Sequence, residues 1–171
     1  MSKLRRLLLA KHLNEINEDD IMITADSNPE VMRCCYLAGF AKSPYCMTYK
    51  EAADVTDADK FINMLLNSDI VNFDVGKYFT GITGTLSFTG LNMTKLKYYA
   101  FPPNMEFSNI SGGFAPNCET YNIGMWEGSN LPNGCQVISN PKIKTAIIDP
   151  NNYKWFISYG HLGKGTFIKS K

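Results

Sequence analysis

A chain of 171 residues that is 44% hydrophobic and 12% aromatic can bury one good core, which excludes a disordered protein. No stretch is long enough to span a membrane. The net charge of +1 says little, but its distribution says more. Residues 1–14 carry Lys3, Arg5, Arg6 and Lys11 with no acid, and the stretch from Glu15 to Asp59 holds ten acids against three bases. From Lys142 onward, six lysines face only Asp149. Such segregation favours pairing between subunits or domains. Nucleic acid is the disfavoured alternative, because arginines are few and no nucleic-acid motif accompanies them.

The opening MSKLRRLLLAKH imitates a signal peptide only briefly: its apolar run, Leu7 to Ala10, is short and charge resumes at Lys11. The chain is therefore expected to be made in the cytoplasm without a signal peptide. Residues Lys3 to Asn17 read as a helix with Leu4, Leu8, Leu9, Leu13 and Ile16 on one side. It is either an ordinary terminal helix packed on its own domain or an assembly arm. In the second case Leu4, Arg5, Arg6, Leu8, Leu9 and Lys11 would dock on the acidic stretch of a neighbour. Residues 14–27 read as a linker or edge strand around Ile21-Met22-Ile23, so 1–27 is the first unit.

The second unit, 28–83, is a helical leader. Asn28 and Pro29 suit the N-cap and first position of a helix carrying Val31, Met32, Cys35 and Tyr36, and Gly39 closes it. Lys42-Ser43-Pro44 is a turn. Thr48 with Glu51 is a capping box, and Thr56 with Asp59 repeats it ahead of Phe61, Met64, Leu65 and Leu66. Ile70 to Phe73 reads as a short strand. Asp74 is expected to cap one more helical turn bearing Tyr78 and Phe79, with Gly81 as a left-handed stop. Phe73, Tyr78 and Phe79 should be buried against the C-terminal half of the chain.

Met47-Thr48, Glu51-Ala52, Val55-Thr56, Asp69-Ile70, Phe73-Asp74 and Tyr78-Phe79-Thr80-Gly81-Ile82-Thr83 resemble the leader module of BspA-type leucine-rich-repeat proteins. Those are surface and phage-borne proteins of gut bacteria. The resemblance runs from Asn28 to Thr83, and the repeats after it are few and degenerate. It implies a binding or structural role, since that family supplies no catalytic residues.

After Gly81 helical periodicity gives way to short runs of Tyr, Ile, Thr and Phe between turn residues, which is strand chemistry. Gly84 to Gly90 alternates around Leu86 and Phe88. Segments beginning at Leu96, Tyr121 and Ile143 superpose with starts 25 and 22 residues apart, inside the leucine-rich-repeat range. The expected fold class is α+β: N-terminal helices capping a short leucine-rich-repeat-like β stack over 84–171, with Tyr153 to Ile168 closing its far end.

Little in the sequence points to chemistry. Gly160 to Thr166 lacks the spacing of a phosphate loop. Asp54, Asp57 and Asp59 lack that of a calcium loop. Five cysteines, at 34, 35, 46, 118 and 135, have neither a disulfide framework nor zinc spacing and read as reduced thiols. His12 and His161 have no activating context for Cys–His catalysis, and Trp126-Glu127 lacks the second carboxylate of a glycosidase. No cofactor or metal is expected. Tyr99, Tyr121, Trp126, Tyr153 and Trp155 are the candidate binding surface for protein or glycan. The expectation is a non-enzymatic structural protein of a bacteriophage virion, whether capsid-associated, head-fibre or tail. Its partners would be protein subunits, copies of itself among them. A surface-adhesion or host-recognition module binding glycan or protein is the alternative, and a glycan-active enzyme the weaker one.

Overall fold

The computed structural model describes residues 16–66, 68–85, 88, 90–106, 109–123, 137–140, 142–150, 160–162 and 167–170. The expected arm helix lies outside the described residues. The described residues begin with a 3-10 turn, Glu18–Asp20, and β1 (Ile21–Thr24). α1 (Pro29–Leu37) starts as the sequence requires: Asn28 Oδ1 accepts from the Val31 N–H and proline takes the first turn. Gly39, at φ +79°, ends it. β2 (Cys46–Thr48) pairs antiparallel with β1 and leads into α2 (Tyr49–Ala53), where the Thr48–Glu51 capping box forms in both directions.

The next cap differs from expectation. α3 (Ala58–Leu66) begins one residue after Asp57, so Asp57 Oδ1, not Thr56, accepts from the Lys60 N–H at 3.0 Å. β3 (Asn72–Phe73) precedes a 3-10 turn, Asp74–Tyr78. Asp74 lies inside that turn and does not cap it; Phe73 holds the cap position without a side-chain bond, and Asn72 Oδ1 accepts from the Asp74 N–H. Gly81 is not left-handed either. A methyl there would lie 2.3 Å from the Ala53 carbonyl oxygen, so close approach to the end of α2 is what demands glycine.

Beyond the leader the described elements are strands and one 3-10 turn, Gly112–Phe114. β4 (Gly84–Thr85), β5 (Tyr98–Ala100), β6 (Met105–Glu106), β7 (Asn109–Ser111), β8 (Thr120–Asn122) and β9 (Val137–Asn140) come first. β10 (Thr145–Ile148), β11 (Gly160–Leu162) and β12 (Phe167–Ser170) complete the set. Among the described residues every strand pairing after β2 is parallel. The largest sheet adds its strands in chain order, β3-β5-β8-β10-β12, beside a ladder β7-β9-β11 and a pair β4-β6. The chain is thus α+β, with the described helices confined to the leader.

Register corrects the sequence superposition. Asn72, Tyr98, Thr120, Thr145 and Phe167 lie opposite one another, so successive offsets are 26, 22, 25 and 22 residues. Leu96 and Ile143 keep their expected equivalence, but the residue between them is Cys118, not Tyr121. All three are buried, and the Cys118 thiol takes the place between Leu96 and Ile143 as a small hydrophobe.

One row points into the core: Phe73, Tyr99, Tyr121 and Ala146, none more than 1% exposed. Phe73 stacks on Tyr99 at 5.6 Å, and Phe114 on Tyr121 at 6.0 Å. Phe61 and Phe79, 5.2 Å apart, join this row to α3. Leader and sheet therefore share a core. Of the three residues expected at the junction, Phe73 and Phe79 are buried, while Tyr78 is half-buried with its ring edge-on to Tyr49.

Glu30 fastens α1 to the strand region. Its carboxylate takes two hydrogen bonds from Arg33 and one from the Asp69 N–H at 3.0 Å. These bonds, that of Arg33 foremost, hold its pKa at about 2, against the usual 4.5. A depressed carboxylate stabilises the fold fully above pH 4.5 and loses that contribution as the pH falls to about 2. With Arg33 half exposed, about 1–2 kcal/mol is at stake. Melting temperature should therefore fall more steeply across this window in the native chain than in Glu30→Gln. Parallel curves for the two would remove Glu30 from the balance.

Candidate interaction surface

Tyr99 and Tyr121, offered by the sequence as exposed binding residues, lie inside the core, and that expectation is corrected. Strand alternation places Tyr98, Thr120 and Asn122 outward and sends the intervening tyrosines in. The Tyr121 hydroxyl accepts from Asn140 Nδ2 at 3.2 Å, and Asn140 also donates to the Ala115 carbonyl. The Tyr99 hydroxyl is buried without a partner among the described residues. Burial drives both phenols above their ordinary range, so neither ionises near neutrality. Trp126, Tyr153 and Trp155 lie outside the described residues, as do Leu4, Arg5, Arg6, Leu8, Leu9 and Lys11.

The starts of three strands of the large sheet carry exposed charge that sequence reasoning missed. The residues just before β5, β8 and β10 are Lys97, Glu119 and Lys144, which the parallel register stacks in one column. Lys144 Nζ lies 3.0 Å and Lys97 Nζ 3.8 Å from Glu119 Oε1. Lys144, and after it Lys97, holds the Glu119 carboxyl below its ordinary range. A second column runs beside it: Lys95 pairs with Asp69 at 3.1 Å, and Lys142 donates to Asn117 Oδ1 at 3.3 Å. Asn117 in turn donates to the Thr94 carbonyl. Among the described residues, four lysines against two acids make these columns basic, their long side chains held in ladder order. The charged residue one position ahead of each of these strands becomes visible only once the strand starts are known.

Nucleophilic chemistry finds no support at the described cysteines. Cys34, Cys35, Cys46 and Cys118 are free thiols and buried, as expected; Cys135 lies outside the described residues. Burial pushes Cys35 up to about 12 and Cys34 and Cys118 to about 11, and raises Cys46 as well. Among the described residues no three His, Cys, Asp or Glu side chains gather to hold a metal. No described helix is long and apolar enough to cross a membrane. Comparison with known proteins adds no neighbour: no family model matches the chain, and no curated protein or solved structure matches it significantly.

Proposed function

We propose that the chain is a non-enzymatic structural protein of a bacteriophage particle. In this reading a short leucine-rich-repeat-like stack, closed at one end by the helical leader, makes protein–protein contacts. One observation carries it: the inward row that starts at Phe73 in the leader and continues through Tyr99, Tyr121 and Ala146 at repeat-length offsets. The leader's resemblance to phage-borne leucine-rich-repeat proteins supplies the particle. The basic columns supply the contact, because a pre-ordered lysine face suits an acidic partner surface. The exposed Glu18-Asp19-Asp20 turn of a second copy has the complementary charge.

Mass spectrometry of purified particles should find the chain in stoichiometric amounts. Reversing Lys95, Lys97 and Lys144 to glutamate should exclude it from particles, with an unchanged circular dichroism spectrum establishing that the variant is folded; the new carboxylates beside Glu119 and Asp69 repel, so its melting temperature should fall modestly. Its absence from particles would overturn the reading, as would undisturbed incorporation of the reversed variant.

A further inference from the structure

The leader contains a feature that the basic columns do not use. A cleft of about 300 Å³ opens between β1, the start of α2 and the turn after β3. That is the lower end of the range for small-ligand sites. Tyr49 and Tyr78 form one wall, ring centroids 4.7 Å apart at 69°. Tyr49 is 39% exposed, so its ring is open to a visitor. Asn28, Asn72, Asp74 and Lys77 supply the polar rim, over the buried Ile23 and Val75.

The rim keeps free hydrogen-bonding capacity. Asn28 and Asn72 commit one carbonyl oxygen each to backbone N–H groups, and Asn28 Nδ2 donates to the Asn72 carbonyl at 3.3 Å. The Asn72 amide donors and the exposed Asp74 carboxylate have no partner among the described residues. Lys77 lies 5.1 Å from the Tyr78 ring centroid, beside the cleft and without an ion pair to Asp74 among the described residues. An amide donor, a carboxylate acceptor and an ammonium thus surround an aromatic wall, and the two charges cancel.

We infer that this cleft binds a neutral saccharide. A sugar ring offers an aliphatic C–H face for Tyr49 and a belt of hydroxyls, each both donor and acceptor, for Asn72, Asp74 and Lys77. A phosphate ligand would call for excess positive charge, and a divalent cation for more than one carboxylate. Asp74 is the only acid lining the cleft among the described residues, whereas glycosidic cleavage normally takes a pair. The site therefore binds without hydrolysing. Saccharide binding here does not depend on assembly into a particle.

The test is titration of the full chain with neutral tetrasaccharides of glucose, mannose, xylose and N-acetylglucosamine. Polygalacturonate serves as the acidic control, and ligand-observed NMR and calorimetry as readouts. At least one neutral probe should bind in the micromolar to millimolar range. Tyr49→Ala should weaken it about tenfold or more, Asp74→Asn several-fold, and Tyr49→Phe little. Both positions are exposed, and an unchanged circular dichroism spectrum would establish that each variant is folded. No binding of any neutral probe, binding of the acidic control alone, or affinity indifferent to both Tyr49→Ala and Asp74→Asn would overturn the inference.

Discussion

Replacing Gly76 with alanine is expected to destabilise the protein by about 3 kcal/mol or more, lowering its melting temperature by about 6–12 °C. A methyl group at Gly76 would lie 1.7 Å from the Ala100 carbonyl oxygen, 2.8 Å from its carbonyl carbon and 3.1 Å from the Phe73 ring. Two of these neighbours are backbone, so no rotamer change relieves the overlap. Either the Asp74–Tyr78 turn lifts off β5, or β5 gives up its pairing with β3. Gly39 is the contrasting case: its φ is +79° but nothing lies within 4 Å, so alanine there costs only the left-handed penalty of about 1 kcal/mol. Denaturant titration of the two variants checks the ranking. Equal stabilities would show that the leader and the ladder meet less closely than described.

That contact also marks where sequence reading stops. Asn28-Pro29 and Thr48–Glu51 were legible because a cap is a local event, satisfied within three or four residues of itself. Asp57 was missed for the same reason: Thr56 and Asp57 are both good caps, and only the position of Ala58 as first helical residue chooses between them. Strand segments were legible from alternation, but their register was not, because sliding Tyr121 by three residues keeps an apolar pattern in place. The choice is made across strands, where Tyr121 faces Tyr99 and Cys118 faces Leu96. Reading Tyr99 and Tyr121 as exposed failed on the same point, since the side a strand residue takes depends on what its neighbours bury. The basic columns arose from register as well. The tyrosine-walled cleft brings together Asn28, Tyr49 and Asp74, which no spacing rule connects.

Phe79→Ala should cost about 3–5 kcal/mol, the usual range for emptying a packed aromatic site. Phe79 is fully buried, 5.2 Å from Phe61 on α3 and 5.9 Å from Phe73 on β3. The half-buried Tyr78 next to it should tolerate alanine better. The more informative quantity is how the loss is shared. Phe73 passes the contact on to Tyr99, and Phe101 and Phe114 carry it to Tyr121, so helices and sheet should unfold together. Circular dichroism tracks the helices, all of which precede Gly81 among the described residues, whereas the NMR amide signals of Tyr99, Tyr121 and Ala146 track the sheet. In urea, Phe79→Ala should shift both signals to the same lower midpoint. If the dichroism transition moved and the NMR transition stayed, the leader and the ladder would be separate cores. The row from Phe73 to Ala146 would then not be a single stack.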